Sequence, residues 1–196
     1  MRSASTLPFL LAIVACGAYR AKVQEPSPLV QPVSSVPDRA PAGQALVFFH
    51  RVFQFKGQES PVTVWDGPVF LGELESGHGC FRVCKPGQHY FVSRSQGRVG
   101  VVEAELAAGR VYDFMFDLKT GWDTVDSVIS PVTQDDERRS DIPKLLVNLT
   151  YFEPKPVSFV REYEAAQRAE TLRIIKDFTK GEKRDRLGRL KADDHR

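Results

Sequence analysis

The sequence predicts a mainly β fold, a small antiparallel β-sandwich of six to seven strands with a C-terminal helical extension. From residue 44 onward, short apolar runs separated by turn residues recur about every ten residues, which is typical of sandwiches and barrels. Residues 112–118 alternate between apolar and polar side chains, the pattern of a strand with two different faces. The 196 residues contain neither a βαβ rhythm nor a glycine-rich phosphate loop, which argues against a nucleotide-binding α/β fold.

The composition is that of a globular protein. Hydrophobic residues make up 42% of the chain and charged residues 27%, a balance that supports a packed core. The formal net charge is only +2, so the chain lacks the basic excess of a dedicated nucleic-acid binder, and no nucleic-acid partner is expected. Three cysteines are too few for a disulfide scaffold.

Residues 1–15 have the three-part layout of a secretory signal peptide. Arg2 is followed by a nine-residue apolar stretch, Leu7–Ala15, and small residues then surround Cys16. Ile13-Val14-Ala15-Cys16 resembles the lipobox of bacterial lipoproteins. That resemblance implies cleavage before Cys16, acylation of its thiol and amine, and a membrane anchor made of lipid.

The same resemblance implies a location. Gly17 stands where an aspartate would retain a lipoprotein in the inner membrane, so we expect an outer-membrane lipoprotein of the bacterial cell envelope that faces the periplasm. Two alternatives stay open: ordinary signal cleavage near Ala15–Ala18, which would give a soluble secreted protein, and an uncleaved anchor.

Residues 16–43 are expected to form a tether behind the lipidated cysteine. Five prolines lie between residues 26 and 41, and proline fixes φ and removes backbone donors. Neither helix nor sheet is expected to persist over residues 20–44, which read as a semi-extended spacer. The alternative is an unstructured leader without a role.

Residues 44–120 are expected to form the β-sandwich domain. The run 46–53 is apolar on both faces, as in a covered central strand. Asp66-Gly67 between two apolar runs is a strong hairpin signal, and Pro86-Gly87 and Ala108-Gly109 predict further turns.

This stretch resembles small envelope β-sandwich domains of the PEGA-like type and related domains of unknown function in bacterial lipoproteins. The resemblance rests on Gly43, Ala45–Phe49, Val64–Gly67, Gly72–Leu74, Gly77 and Pro86–His89. Its motifs are turn residues rather than active-site residues, so it implies the sandwich fold more than a function. Our functional hypothesis is a non-catalytic binding or structural module, with another envelope protein as one candidate partner. We expect a binding edge at Trp65, Asp66 and Gly67, with Trp65 as a surface aromatic residue.

Residues 121–180 are expected to form a loop and helices. Ser140-Asp141 before Pro143 predicts a short helix, which Pro154 and Pro156 would end. A second helix is predicted from Ser158 to Lys180, with one apolar stripe formed by Val160, Tyr163, Ala166, Leu172, Ile175 and Phe178. The charged tail, residues 181–196, is expected to be solvated and partly frayed.

His78, Cys80, Cys84 and His89 are residue types that bind metals, and they form the alternative candidate site of a metal- or thiol-dependent protein. On one strand, the Cα atoms of Cys80 and Cys84 would lie ~13 Å apart, which opposes both a shared zinc ion and a disulfide. An oxidising compartment favours a Cys80–Cys84 disulfide through a local bend, and inert packed thiols remain a third interpretation.

No catalytic motif occurs elsewhere in the sequence. His50 has no nucleophilic partner nearby in sequence, and Asp113 and Asp117 are expected to be outward, solvated carboxylates. We therefore expect no enzyme activity, no cofactor and no metal.

Overall fold

The computed structural model describes residues 27–53, 60–96, 98–120 and 125–196. These residues form eleven strands in two sheets, which confirms the mainly β, sandwich-like fold. The strands are β1 (Val30–Pro32), β2 (Ala45–Arg51), β3 (Val62–Asp66), β4 (Val69–Leu74), β5 (His78–Cys84), β6 (Gly87–Arg94), β7 (Val99–Leu106), β8 (Val111–Thr120), β9 (Val125–Pro131), β10 (Thr150–Pro154) and β11 (Gly188–Leu190). The helices are α1 (Ile142–Asn148) and α2 (Ser158–Lys180).

Both sheets are mixed rather than purely antiparallel. The first sheet has the order β1-β10-β5-β2-β8-β9, and the second has the order β11-β7-β6-β3-β4. Three pairs within the described residues are parallel: β10 with β5, β2 with β8, and β11 with β7. Strands β2–β8 match the six to seven strands predicted from the apolar runs. The additional strands, β1, β9, β10 and β11, come from sequence outside the predicted sandwich domain, residues 44–120.

The core between the two sheets is aromatic. Phe49, Phe91 and Phe114 pack with their ring centroids 5.1–5.2 Å apart, a normal spacing for edge-to-face and offset rings. All seven residues of β2 are buried, as predicted for a covered central strand. The predicted turns also hold: Gly67, Gly87 and Gly109 have positive φ values, which a glycine adopts without strain.

Helix α2 covers the outer face of the second sheet. Trp65, Phe70, Val92 and Val101 point outward from this sheet and pack against the buried side of the helix. The predicted bounds of α2, Ser158 and Lys180, are those of the structure. Within the part of the chain that is described, neither helix is both long enough and apolar enough to cross a bilayer.

Helix α1 and the segment 33–40 cover the outer face of the first sheet. Leu46, Phe48 and Tyr151 pack there against Leu146 and Leu149. The helix begins after Asp141 as predicted, although the Asp141 side chain makes no capping hydrogen bond. It ends at Asn148 rather than near Pro154, because residues 150–154 pair with β5 and β1 instead.

Three segments predicted to lie outside the sheets belong to them. Val30–Pro32 is an edge strand, so the expectation that no sheet persists over residues 20–44 is wrong there; a terminal proline is tolerated on an edge strand. Residues 125–131 form β9 within the predicted loop. The tail is not frayed, because β11 pairs with β7 and Leu190 is buried.

Candidate functional site

The predicted binding edge at Trp65, Asp66 and Gly67 is not an edge. Strand β3 lies between β6 and β4, so both of its sides are hydrogen-bonded. Trp65 is fully buried beneath α2, and its indole N–H donates to Thr63 Oγ1 at 3.1 Å. The prediction of a surface aromatic residue is wrong because α2 covers the outward face of β3. Asp66 and Gly67 form the end of the strand and its turn.

Cys80 and Cys84 are both free thiols, so the candidate disulfide does not form. Both lie on the regular strand β5 and are buried in the core between the sheets. An extended strand keeps these two residues too far apart for a disulfide, and no local bend brings them together. Burial raises the pKa of the Cys80 thiol, which therefore stays protonated.

The four-residue set His78, Cys80, Cys84 and His89 does not form a common site. His78 begins β5 and Cys84 ends it, a separation of ~20 Å along an extended strand. His78 instead packs against the ring of Phe152, and its Nδ1 accepts a hydrogen bond from the Glu75 N–H at 3.3 Å. Burial, with Arg51 nearby, lowers the pKa of His78.

A different set of side chains converges at one end of the sandwich. Asp66 ends β3, Cys84 ends β5, and His89 lies on β6 just after the turn that joins β5 to β6. Within the described residues, this is the one group of three metal-ligating side chains whose ligand atoms lie within 4.8 Å of one another. We call it the Asp66–Cys84–His89 cluster. All three residues are candidates from the sequence, but of two separate sites: Asp66 of the binding edge, and Cys84 and His89 of the metal- or thiol-dependent site.

Hydrogen bonds fix the geometry of this cluster. His89 Nδ1 lies 2.9 and 3.0 Å from the two carboxylate oxygens of Asp66, and His89 Nε2 lies 2.9 Å from the backbone oxygen of Lys85. Cys84 Sγ lies 3.9 Å from Asp66 Oδ2 and from the backbone oxygen of Arg82. Cys84 is buried, whereas the Asp66 and His89 side chains keep 16% and 17% of their surface exposed.

The electrostatics of the cluster do not activate the thiol. Both ring nitrogens of His89 face oxygen acceptors, and the hydrogen bond to Asp66 raises the pKa of His89. Burial, together with the charge of Asp66, raises the pKa of Cys84 to about 12. The reactive form of a cysteine is the thiolate, so Cys84 in this state is not a nucleophile.

A second polar network, which the local sequence does not predict, is buried in the first sheet. His50 Nε2 lies 2.8 Å from Asp113 Oδ1, and His50 Nδ1 lies 2.9 Å from the Tyr151 hydroxyl. Arg196 Nε lies 3.1 Å from Asp113 Oδ2. Asp113 is therefore not the outward, solvated carboxylate that the alternation predicted. The closed surroundings of His50, which is fully buried, indicate a structural role.

Two open grooves flank strand β11. One has a volume of about 400 Å³ and lies along Gln88, Glu103 and Arg189. The other, of about 430 Å³, lies between α2 and the second sheet and shares Glu103 and Arg189 with the first. Arg189 and Glu103 face each other across β11 and β7, with Nε and Oε2 3.5 Å apart. Both grooves lie beside the docked tail.

Comparison with known proteins identifies no family for the chain. The chain matches no protein-family model, and it matches none of the curated proteins.

Proposed function

We propose that this chain is a lipid-anchored protein of the bacterial cell envelope, whose β-sandwich domain is a non-catalytic binding or structural module. The observation that carries the proposal is Ile13-Val14-Ala15-Cys16 at the end of an uncharged apolar stretch. Acyl chains on Cys16 would hold the protein in the membrane, and Gly17 favours the outer membrane, facing the periplasm. Two or three chains give a stable anchor, whereas one chain binds only marginally.

The described part of the chain limits how far the domain would stand from such an anchor. The backbone oxygen of Ser27 accepts a hydrogen bond from Lys155 Nζ at 3.1 Å, and that of Leu29 accepts one from the Lys155 N–H at 2.9 Å. The fold therefore holds the chain from Ser27 onward. The chain between Cys16 and Ser27 spans at most roughly 40 Å when fully extended. The domain would thus stay close to the bilayer.

Electrostatic attraction does not replace the lipid in this proposal. Cleavage before Cys16 would remove Arg2 and no acidic residue, so the formal net charge would fall from +2 to +1. A basic surface needs several Lys or Arg near the membrane to bind anionic lipid, each contributing about 1 kcal/mol. Membrane binding of a nearly neutral chain is therefore expected to depend on its acyl chains.

The state of the candidate reactive groups supports a non-catalytic module. The Cys84 thiol is protonated, and the imidazole of His89 is held by hydrogen bonds on both nitrogens. His50 is fully buried. The domain would then act by binding another envelope protein or a ligand at its surface.

Labelling with radioactive palmitate in a bacterial host tests the anchor. We expect the wild-type chain to take up label and to partition into the detergent phase. Cys16→Ala should lose the label and stay uncleaved. The matched control is Cys80→Ala/Cys84→Ala, which removes the two other thiols and should label like wild type.

Two results would contradict the anchor. Equal labelling of Cys16→Ala and wild type would show that the lipid is not on Cys16. Wild-type protein that is cleaved but remains in the aqueous phase without label would identify a soluble secreted protein instead.

A further inference from the structure

We propose that Asp66, Cys84 and His89 bind one Zn²⁺ ion at the end of the sandwich where the chain crosses from the first sheet to the second. The site goes beyond a membrane-tethered module and does not depend on the lipid anchor. Thiolate sulfur, imidazole nitrogen and carboxylate oxygen are the three ligand types that proteins offer to zinc. The fold brings one of each together from three different strands.

The distances between the ligand atoms fit a tetrahedral ion. Ligand atoms on a tetrahedral Zn²⁺ lie about 3.3 to 3.7 Å apart, because zinc bonds to nitrogen, oxygen and sulfur are about 2.0 to 2.3 Å long. Cys84 Sγ lies 3.9 Å from Asp66 Oδ2, and His89 Nδ1 lies 3.0 Å from the same oxygen. One ligand atom from each of the three residues lies within 4.8 Å of the others, so small side-chain rotations would bring them to tetrahedral spacing.

The imidazole of His89 is already oriented as a metal ligand. Its Nε2–H donates to the backbone oxygen of Lys85, which leaves Nδ1 as the nitrogen that faces Asp66. Histidine ligands usually donate their second ring N–H to a carbonyl or carboxylate, and this partner fixes the ring. The ring also stacks on Phe91, with the two planes 9° apart.

Metal would replace protons in the cluster. In the metal-free cluster, His89 Nδ1–H donates to Asp66 and the Cys84 sulfur carries a proton. Binding breaks the S–H and N–H bonds, forms Zn–S, Zn–N and Zn–O bonds, and releases those two protons to solvent. The dication, the thiolate and the carboxylate then sum to zero charge. Such a neutral cluster suits a half-buried position, where the charge of Arg82 acts on both Cys84 and His89.

The fourth position of the ion would be open to solvent. Asp66 and His89 each keep about one sixth of their side-chain surface exposed, whereas Cys84 is buried behind them. Three protein ligands and one water molecule are the arrangement of zinc sites that exchange a ligand. The ion could therefore reach the cluster from the surface, and a fourth ligand could come from water or from a bound partner.

Cobalt titration of the full chain in a Cys16→Ala background tests the site. Co²⁺ bound to a thiolate shows a charge-transfer absorption in the near ultraviolet, and Cys16 is removed so that it cannot contribute. We expect this absorption to saturate at one Co²⁺ per chain and to disappear when Zn²⁺ displaces the cobalt. Zn²⁺ should also raise the melting temperature, and a chelator should reverse that rise.

Variants on the same strands provide the controls. Cys84→Ala should abolish the absorption, and Asp66→Asn and His89→Gln should weaken Zn²⁺ binding at least about tenfold. Cys80→Ala and His78→Gln should bind like the parent, because neither residue belongs to the cluster. Circular dichroism of every variant, measured without metal, identifies any variant that fails to fold; Cys84→Ser then takes the place of an unfolded Cys84→Ala.

The inference is overturned if the folded parent shows no thiolate absorption at one equivalent of Co²⁺. It is also overturned if folded Cys84→Ala or Cys84→Ser binds as tightly as the parent. Lipidation of Cys16 is measured separately, by palmitate labelling. A negative result in either experiment therefore does not bear on the other proposal.

Discussion

His50 shows how a buried histidine acquires partners that lie far away in sequence. Its imidazole lies between Asp113 and Tyr151, which belong to β8 and β10. When the neutral ring donates Nε2–H to the carboxylate, Nδ1 accepts from the Tyr151 hydroxyl. Burial, with Asp113 nearby, raises the pKa of Tyr151 and keeps this donor protonated. The network satisfies polar groups that would otherwise be costly inside the sheet.

Gly79 allows the tyrosine to reach this position. A Cβ at residue 79 would lie 2.6 Å from the Tyr151 ring, closer than atoms can approach. The glycine on β5 thus makes room for the ring of the neighbouring strand β10. Nothing in the local sequence shows this, because the contact depends on which strands pair.

Tyr151→Phe is expected to destabilise the fold by about 1 to 3 kcal/mol, because it removes one hydroxyl and leaves His50 Nδ1 buried without its partner. Urea denaturation measures the change. Tyr163→Phe is the matched control: the Tyr163 ring packs on Trp65 and Phe70, and we expect a change within about 0.5 kcal/mol. Equal stability of Tyr151→Phe and wild type would mean that this hydrogen bond contributes no net stability.

Helix α2 was predicted with the correct bounds but with part of its buried side wrong. The buried residues of α2 are 160, 171, 174 and 178. An α-helix turns by about 100° per residue, so these four residues lie on one face, within about 40° of residue 160 around the helix axis. The predicted apolar stripe includes both Ala166 and Leu172, which are six residues apart. This spacing is a rotation of about 240° around the helix axis, so the two residues cannot share one face. Leu172 accordingly lies on the outside, 45% exposed.

The strands that were missed have weak local signals. Thr150–Pro154 and Gly188–Leu190 are short, and the second lies in a densely charged stretch. Both pair in parallel with strands that are distant in sequence, β5 and β7. Strand formation depends strongly on such tertiary partners, so period and composition alone do not reveal it.

Phe178→Ala is expected to cost about 3 to 5 kcal/mol, because Phe178 is buried between α2 and the second sheet. The exposed Leu172→Ala should change stability by less than about 0.5 kcal/mol. In a Trp122→Phe background, the fluorescence of Trp65 reports on α2, since Trp65 is fully buried beneath it. We expect the Trp65 emission to shift to longer wavelength at a lower urea concentration in Phe178→Ala. An unchanged urea midpoint of the Trp65 emission would show that the packing of Phe178 does not stabilise α2 on the second sheet.

At the scale of the whole molecule, the described residues form one continuous set of layers from residue 27 to residue 196. The sequence predicted the central strands and the long helix, because each has its own periodicity and turn residues. It could not predict the Asp66–Cys84–His89 cluster. Asp66 and His89 lie on the paired strands β3 and β6 of the second sheet, and the packing of the first sheet against the second adds Cys84 from β5.

Residues 188–196 form what we call the C-terminal strap, which spans both sheets. Its first three residues pair with β7 of the second sheet. Further along, the backbone oxygen of Ala192 accepts a hydrogen bond from the Tyr112 hydroxyl at 2.8 Å, and the Arg196 N–H donates to the backbone oxygen of Val111 at 2.9 Å. The charged tail, which the sequence predicts to be solvated, is therefore held to both sheets by hydrogen bonds of its backbone.

Arg196 supplies the counter-charge to Asp113, whose side chain is only 4% exposed, and its guanidinium lies 4.8 Å above the ring of Phe48. Arg196→Ala would leave His50 as the one remaining side-chain partner of that carboxylate among the described residues. Removing one partner of a buried pair costs about 3 to 5 kcal/mol, and we expect about 1 to 3 kcal/mol here because Arg196 is partly exposed and His50 remains.

The control for Arg196→Ala is Arg189→Ala, on the same strap. The Arg189 side chain is 67% exposed and its ion pair with Glu103 is long, so its loss should cost less than about 1 kcal/mol. A double-mutant cycle with Asp113→Asn separates the ion pair from the packing on Phe48, since only the ion-pair part disappears when the carboxylate is neutral. If Arg196→Ala unfolds at the same urea concentration as Arg189→Ala, the strap does not stabilise the buried carboxylate. A larger loss for Arg196→Ala that shrinks in the Asp113→Asn background would instead show that this ion pair holds the strap to the first sheet.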